Sequence, residues 1–239
     1  LGVKIKKLRN KKYSIYGKGL GSLLSKKNTT LNFGNSGTLT RLLIGILSTT
    51  PNIDLKLVGD KSLNKRSMKK LIILMEKFGA TFFPKNKIQL PLRLTSSKIP
   101  IGIKYKAGVS AQLKSAVMLA GLNSYGNTEI EENEKSRDHT ENLLLINSKA
   151  IKIIKNKKKI IKIFGKNFLK PFKVSVPGDP SSAAFFTALA LLKERSSLLI
   201  KNVGLNETRI GFYKILKKHN AKIQFKNIMR QKFTNICVL

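Results

Sequence analysis

The chain has 239 residues with 47 Lys+Arg against 12 Asp+Glu, a formal net charge of +35. A single cysteine, Cys237, excludes an internal disulfide and a Cys-based metal site, and His139 and His219 do not stand at a zinc-ligand spacing, so no metal is expected. The longest apolar runs, such as Phe185–Leu192, fall short of the roughly 18 residues that a membrane-spanning helix needs, and no membrane partner is expected.

The opening stretch "LGVKIKKLRNKKYSIYG" is basic but lacks the apolar centre of a secretory signal, starts on Leu and reads at once as a strand. A fragment of a longer protein is the expectation. Next, "NTTLNFGN" reads as a strand and "GNSGTLTRLLIGIL" (Gly34–Leu47) as a helix headed by Gly and hydroxyl residues. Two readings of that head stand side by side. Ser and Thr cap helices and Gly permits tight turns, while a helix N-terminus with its free N–H groups also forms an anion site.

The strand "NIDLKLVG" then precedes an amphipathic helix starting at Arg66 and ending in "MEKFGA", followed by the strand pair "ATFFPKNKIQL". The same order returns twice. "KIPIGIKY", "GVSAQLKSAVMLAGL", "GNTEIEE", a helix from Arg137 to "INSKA", and "AIKIIKNKKKIIKIF" make a second copy. "FKVSVPGD", "GDPSSAAFFTALALL", "SSLLIKNVG", a helix from Arg209 to "KKHNA", and "AKIQFKN" make a third.

Three landmarks keep one period. The glycines 34, 108 and 178 are 74 and 70 apart, the arginines 66, 137 and 209 are 71 and 72 apart, and the alanines 80, 150 and 221 are 70 and 71 apart. The fold class expected is therefore α/β, built from repeated β-α-β-α-β-β units around a shared core. At its helix heads the first copy carries Thr38 and Arg41, the second Ser110, Gln112 and Lys114, and the third Asp179, Ser181 and Ser182. The first two suit anions; the third, led by a carboxylate, does not. Asp60 and Asp179 are read as turn formers, and Asp138 and Glu141 as complements to a helix dipole.

Six stretches, "GNSGTLTRLL", "GDKSLNKRSM", "SAQLKSAVMLAGL", "SRDHTENLL", "VPGDPSSAAFF" and "LNETRIGF", occur in that order. Together they resemble the 5-enolpyruvylshikimate-3-phosphate synthase (3-phosphoshikimate 1-carboxyvinyltransferase) family, and in particular its bacterial subgroup reading "SAQ" and "SRDHTE". The resemblance implies six units in two pseudo-threefold domains. Residues 1–175 would be most of the first, and 176–239 the truncated beginning of the second. It implies transfer of the enolpyruvyl group of phosphoenolpyruvate to the 5-hydroxyl of shikimate 3-phosphate with release of phosphate. It further implies a shikimate-pathway enzyme of the cytoplasm, monomeric when full length, without cofactor.

Carried over by position, the resemblance implies that Gly37, Arg66 and Gln112 bind phosphoenolpyruvate, and that Ser110, Ala111, Gln112, Ser136 and Arg137 bind shikimate 3-phosphate. Family members have Pro after the arginine where this chain has Ser67, so a looser helix start is expected there. The family's Lys-Ser-x-x-x-x-Arg stretch, its catalytic carboxylate and its Lys-Glu pair are not found in the chain; no catalytic acid or base is assigned, and residues 1–239 alone are expected to be inactive. Two alternatives stand beside this reading. The enzyme that transfers enolpyruvyl to UDP-N-acetylglucosamine carries a reactive-loop cysteine where this chain has none, Cys237 lying at the end. A basic nucleic-acid-binding module would interleave aromatics with a basic face, whereas the lysines here are spread throughout and the phenylalanines fall in core-like runs, so no nucleic acid is expected.

Overall fold

The structure is a computed structural model that describes residues 1–147, 149–156, 158–230 and 235–238. Residues Leu1–Glu134 and Leu144–Lys170 gather into one unit, and Lys135–Leu143 with Pro171–Leu239 into another.

The first unit opens with a solvent-facing hairpin, β1 (Lys4–Lys7) antiparallel to β2 (Tyr13–Tyr16), whose connection holds Asn10 and Lys11 at positive φ. The first repeat follows: β3 (Thr30–Asn32), α1 (Gly37–Thr49), β4 (Asp54–Val58), α2 (Lys61–Asn64), α3 (Lys69–Lys77), β5 (Thr81–Phe83) and β6 (Leu92–Thr95). The second comprises β7 (Lys104–Ala107), α4 (Ala111–Asn123), β8 (Asn127–Glu132), α5 (His139–Leu144), all but the last residue of which groups with the other unit, β9 (Ile151–Lys155) and β10 (Lys159–Phe164).

Their sheets have one topology. The orders are β3-β4-β6-β5 and β7-β8-β10-β9, in each case one parallel pair followed by two antiparallel pairs. The 70-residue period of the sequence is thus a period of the fold. In β8 the residues Thr128, Ile130 and Glu132 face inward, and outward Glu129 and Glu131 pair with Lys162 and Lys158 at 2.6 and 2.5 Å.

The Gly-headed helices meet at the centre of this unit. On α1, Thr40, Ile44, Leu47 and Ser48 recur at helical spacing and are buried. On α4, Leu113–Met118 and Ala120–Asn123 are buried, so the helix lies inside the core rather than on its surface. Gly45 permits the approach, because a Cβ there would stand 2.6 Å from the Ala116 carbonyl oxygen.

The second unit holds the third repeat: α6 (Pro180–Leu192), β11 (Val203–Gly204), α7 (Gly211–Lys218), β12 (Lys226–Arg230) and β13 (Asn235–Val238), with sheet order β11-β13-β12. It follows β4-β6-β5 of the first repeat. The expected leading strand "FKVSVPGD" does not form, and a parallel bridge from Gly178 to Val203 is what stands in its place. "SSLLIKNVG" likewise contributes only its last two residues as strand.

Other expectations shift. The second strand of the first repeat begins after Pro91 rather than within "KNKIQL", and Pro84 ends β5; proline has no N–H for a ladder. The arginines stand two or three residues ahead of α3, α5 and α7 instead of starting them. The run Phe185–Leu192 is not core: Phe185, Phe186, Leu189 and Leu192 are 78, 62, 64 and 84% exposed. The difference from α1 and α4 is physical, since those two helices cover each other, whereas α6 is the one Gly-headed helix among the described residues of this unit.

Candidate functional site

The site is built where α1 and α4 begin. Both helices are capped by serine: Ser36 Oγ accepts from the Leu39 N–H at 3.2 Å, and Ser110 Oγ from the Leu113 N–H at 3.4 Å. Capping and a free helix end coexist here, since a cap satisfies one N–H and leaves others. Ala111, the first residue of α4, contributes only its backbone at this end.

Gln112 joins the two helix starts. Its Nε2 donates to Thr38 Oγ1 at 2.7 Å, and its Oε1 accepts from Arg41 Nη1 at 3.0 Å. Arg41 Nη1 also donates to the Gly37 carbonyl at 3.1 Å, one turn back on α1. Arg66 arrives from the approach to α3, its Nη2 donating to Asn35 Oδ1 at 2.9 Å and to Ser62 Oγ at 3.5 Å. Asp60 caps α2 through the Leu63 N–H at 2.7 Å, and this short helix carries Ser62 into place.

Gly37 lies between the two arginines. A Cβ on it would stand 2.9 Å from Arg41 Nη1 and 3.1 Å from Arg66 Nη1. Any side chain would therefore fill the space that the two cations border. Burial first, and then the neighbouring Arg66 charge, lower the Arg41 guanidinium below the usual arginine value. Among the described residues neither arginine pairs with a carboxylate; every partner is a neutral oxygen. Two like charges so close repel unless an anion joins them, and guanidinium forks beside a helix N-terminus suit phosphate or carboxylate.

Gly37, Arg66, Ser110, Ala111 and Gln112, singled out from the sequence, thus belong to the one unit, with Gly37 and Gln112 linked through Arg41 and Arg66 held by Asn35 and Ser62 on the other side of Gly37. Lys114 does not join them. It is fully buried and bonds Glu132 at 2.5 Å, so its sequence reading as an anion ligand is corrected: the charge is spent inside the core. Ser67, where the family has proline, accepts from the Lys69 N–H at 3.3 Å and supplies a polar start to α3. Asn35 and Ser62 were missed as site residues. Their signal was a polar side chain directly after Gly34 and directly after the helix lead-in at Lys61.

In the other unit, Ser136 is buried and Arg137 exposed on the segment before α5. Asp138 accepts from Asn206 Nδ2 at 2.7 Å, and burial, the largest influence, lowers the His139 imidazole below its usual range. Asp179 caps α6 through the Ser181 N–H at 3.1 Å and holds Arg209. His219 lies exposed at the end of α7.

The chain is similar to known proteins over nearly its whole length. The family model described as EPSP synthase (3-phosphoshikimate 1-carboxyvinyltransferase) matches residues 1–236. A 3-phosphoshikimate 1-carboxyvinyltransferase of Zymomonas mobilis is 41% identical over 229 residues, 95% of this chain and 50% of that protein. One of Novosphingobium aromaticivorans is 40% identical over 230 residues, 95% of this chain and 52% of that protein. The solved EPSP synthase from Acinetobacter baumannii superposes with a TM-score of 0.82 at 34% identity, covering 99% of this chain and 53% of that one. The chain spans about half the length of the curated relatives it matches. The repeated sheets, the six ordered motifs and the family match agree, and the chain belongs to the EPSP synthase family.

Proposed function

We propose that the protein carrying this chain transfers the enolpyruvyl group of phosphoenolpyruvate to the 5-hydroxyl of shikimate 3-phosphate and releases phosphate. The single observation that carries this reading is the Gly37 site: two guanidiniums, one neutral amide and a helix start, with no carboxylate paired to either arginine among the described residues. In the reaction the acceptor's hydroxyl oxygen bonds C2 of phosphoenolpyruvate and gives up its proton to a base, while the methylene carbon of phosphoenolpyruvate gains a proton from an acid. The bond from C2 to the phosphate oxygen then breaks, the methyl group returns a proton, and the double bond is restored.

In this reading Gly37 lets phosphoenolpyruvate approach the backbone, Arg66 binds it as a cation, and Gln112 touches both substrates. Ser110, Ala111, Ser136 and Arg137 hold shikimate 3-phosphate. The cations oppose the repulsion among two phosphates and two carboxylates brought into one place. Residues 1–175 are assigned to one domain and 176–239 to the next; the change of unit at Lys170–Pro171 supports a passage near there, while Lys135–Leu143 groups with the second unit. A monomeric enzyme of the cytoplasm completes the proposal, and no helix among the described residues is long and apolar enough to cross a membrane.

The test is phosphate release from phosphoenolpyruvate by the full-length protein, with shikimate 3-phosphate or UDP-N-acetylglucosamine as acceptor. Release that depends on shikimate 3-phosphate is expected. Release only with the sugar nucleotide, or none with either, would overturn the reading.

A further inference from the structure

The third repeat places an arginine as the first does. Arg66 precedes α3 and bonds Asn35, the residue after Gly34; Arg209 precedes α7 and bonds Asp179, the residue after Gly178. Each arginine uses Nη2 for this contact, and each adds a serine hydroxyl, Ser62 at 3.5 Å and Ser181 at 2.8 Å. Gly34 follows β3, which runs parallel to β4, and Gly178 bridges in parallel to β11. The arginine contacts correspond, each reaching from ahead of an amphipathic helix to the residue after the glycine, although Ser62 lies on α2 and Ser181 at the start of α6. They differ in charge: the partner of Arg66 is a neutral amide, and that of Arg209 is a carboxylate.

We propose that the residue after the glycine decides whether each repeat's arginine is open to an external anion: Asn35 leaves the Arg66 site open to a phosphate or carboxylate, and Asp179 occupies the corresponding Arg209 site from within. The first half rests on the reading of the Arg66 site given above; the second stands on the third repeat alone. Asp179 is also bonded by the Ser181 N–H and by Ser182 Oγ at 3.2 Å, so its carboxylate takes the helix-start donors that a bound anion would use. Arg209 Nε is buried and bonds no protein group among the described residues, and the arginine borders a cavity of about 300 Å³ with His139, Asn206 and Asp179. Neutralising the internal carboxylate leaves a charged guanidinium, an unused donor and adjacent space.

The experiment exchanges the two residues and titrates inorganic phosphate by calorimetry on the full-length protein at fixed ionic strength. Asn35→Asp preserves shape and adds a charge, and it should lower affinity at the first site at least ~30-fold, whereas Asn35→Ala, which removes only one neutral bond, should lower it ~5-fold or less. Asp179→Asn keeps a competent helix cap and should raise the stoichiometry by one phosphate; Asp179→Asn with Arg209→Gln should return it to the starting value. Circular dichroism confirms that each variant is folded. No phosphate binding by the unsubstituted chain would overturn the reading of the Arg66 site. An Asp179→Asn variant that gains no site, or an Asn35→Asp variant that binds as the unsubstituted chain does, would overturn this one.

Discussion

Gln112 Oε1 accepts a hydrogen bond from Arg41 Nη1 at 3.0 Å, across 71 positions of sequence. The bond fixes which way the amide faces, because guanidinium only donates, and so Nε2 is left to donate to Thr38 at 2.7 Å. One side chain thereby ties the first and second repeats at their helix starts.

Replacing Gln112 by Leu should break both ties and leave Arg41 with the Gly37 carbonyl alone. A loss of about 1–2 kcal/mol of stability is expected, read as a lower urea midpoint. Phosphate affinity should fall as well, because the Arg41 guanidinium is no longer held in place. Unchanged stability would mean that the helix packing alone sets the register.

Arg66→Ala in the full-length protein should weaken phosphoenolpyruvate more than shikimate 3-phosphate, by roughly 30- to 1,000-fold, since no neutral side chain replaces a charge-assisted fork. Arg137→Ala should show the reverse preference. Removing one of 47 cationic side chains hardly alters the overall field, so a selective loss reports a local contact. Titrating each substrate against each variant checks it; equal, small losses would reduce both arginines to solvated charges.

Gly45→Ala sets two effects against each other. Inside an exposed helix this change stabilises by about 1 kcal/mol. Here the added Cβ would meet the Ala116 carbonyl oxygen at 2.6 Å and its Cα at 3.0 Å, both backbone atoms that cannot turn aside. Overpacking should win, with a net loss of about 1–3 kcal/mol in a denaturation curve and a stable gain as the contrary result.

The repeat was legible because each copy must solve the same local problem: a Gly and hydroxyl head, an apolar helix, an alternating strand. What escaped the sequence was whatever depends on a neighbour from another copy. Phe185 and Phe186 read as core by the same pattern that buries Ile44 and Met118, yet burial needs a second helix to pack against. Lys114 looked like an anion ligand beside Gln112; its inward direction is set by Glu132, 18 positions on. Gly37, Arg66 and Gln112 were readable from motif resemblance, whereas Arg41 as the link between Gly37 and Gln112 required the crossing of α1 and α4. Asn35 needed a comparison with Asp179 that only the paired arginines make visible.

Glu132 gives the last prediction. Burial works against its charge, but hydrogen bonds from Lys114 and Lys159, each 2.5 Å long, outweigh that and bring it from an ordinary 4.5 down to about 2. A carboxylate depressed in the folded state is protonated first in the unfolded chain. Its contribution is therefore complete above pH 4.5 and is lost as the pH falls from 4.5 toward 2. A shift of that size corresponds to about 3 kcal/mol at neutral pH. Glu132→Gln should cost about that much at pH 7, because Lys114 is then a buried cation with a weaker acceptor. Near pH 2 the unsubstituted chain carries the neutral acid as well, so the two stability curves should converge. Urea midpoints at pH 7, 4 and 2.5 for both chains decide it: a gap that stays constant with pH would assign the loss to packing instead of charge.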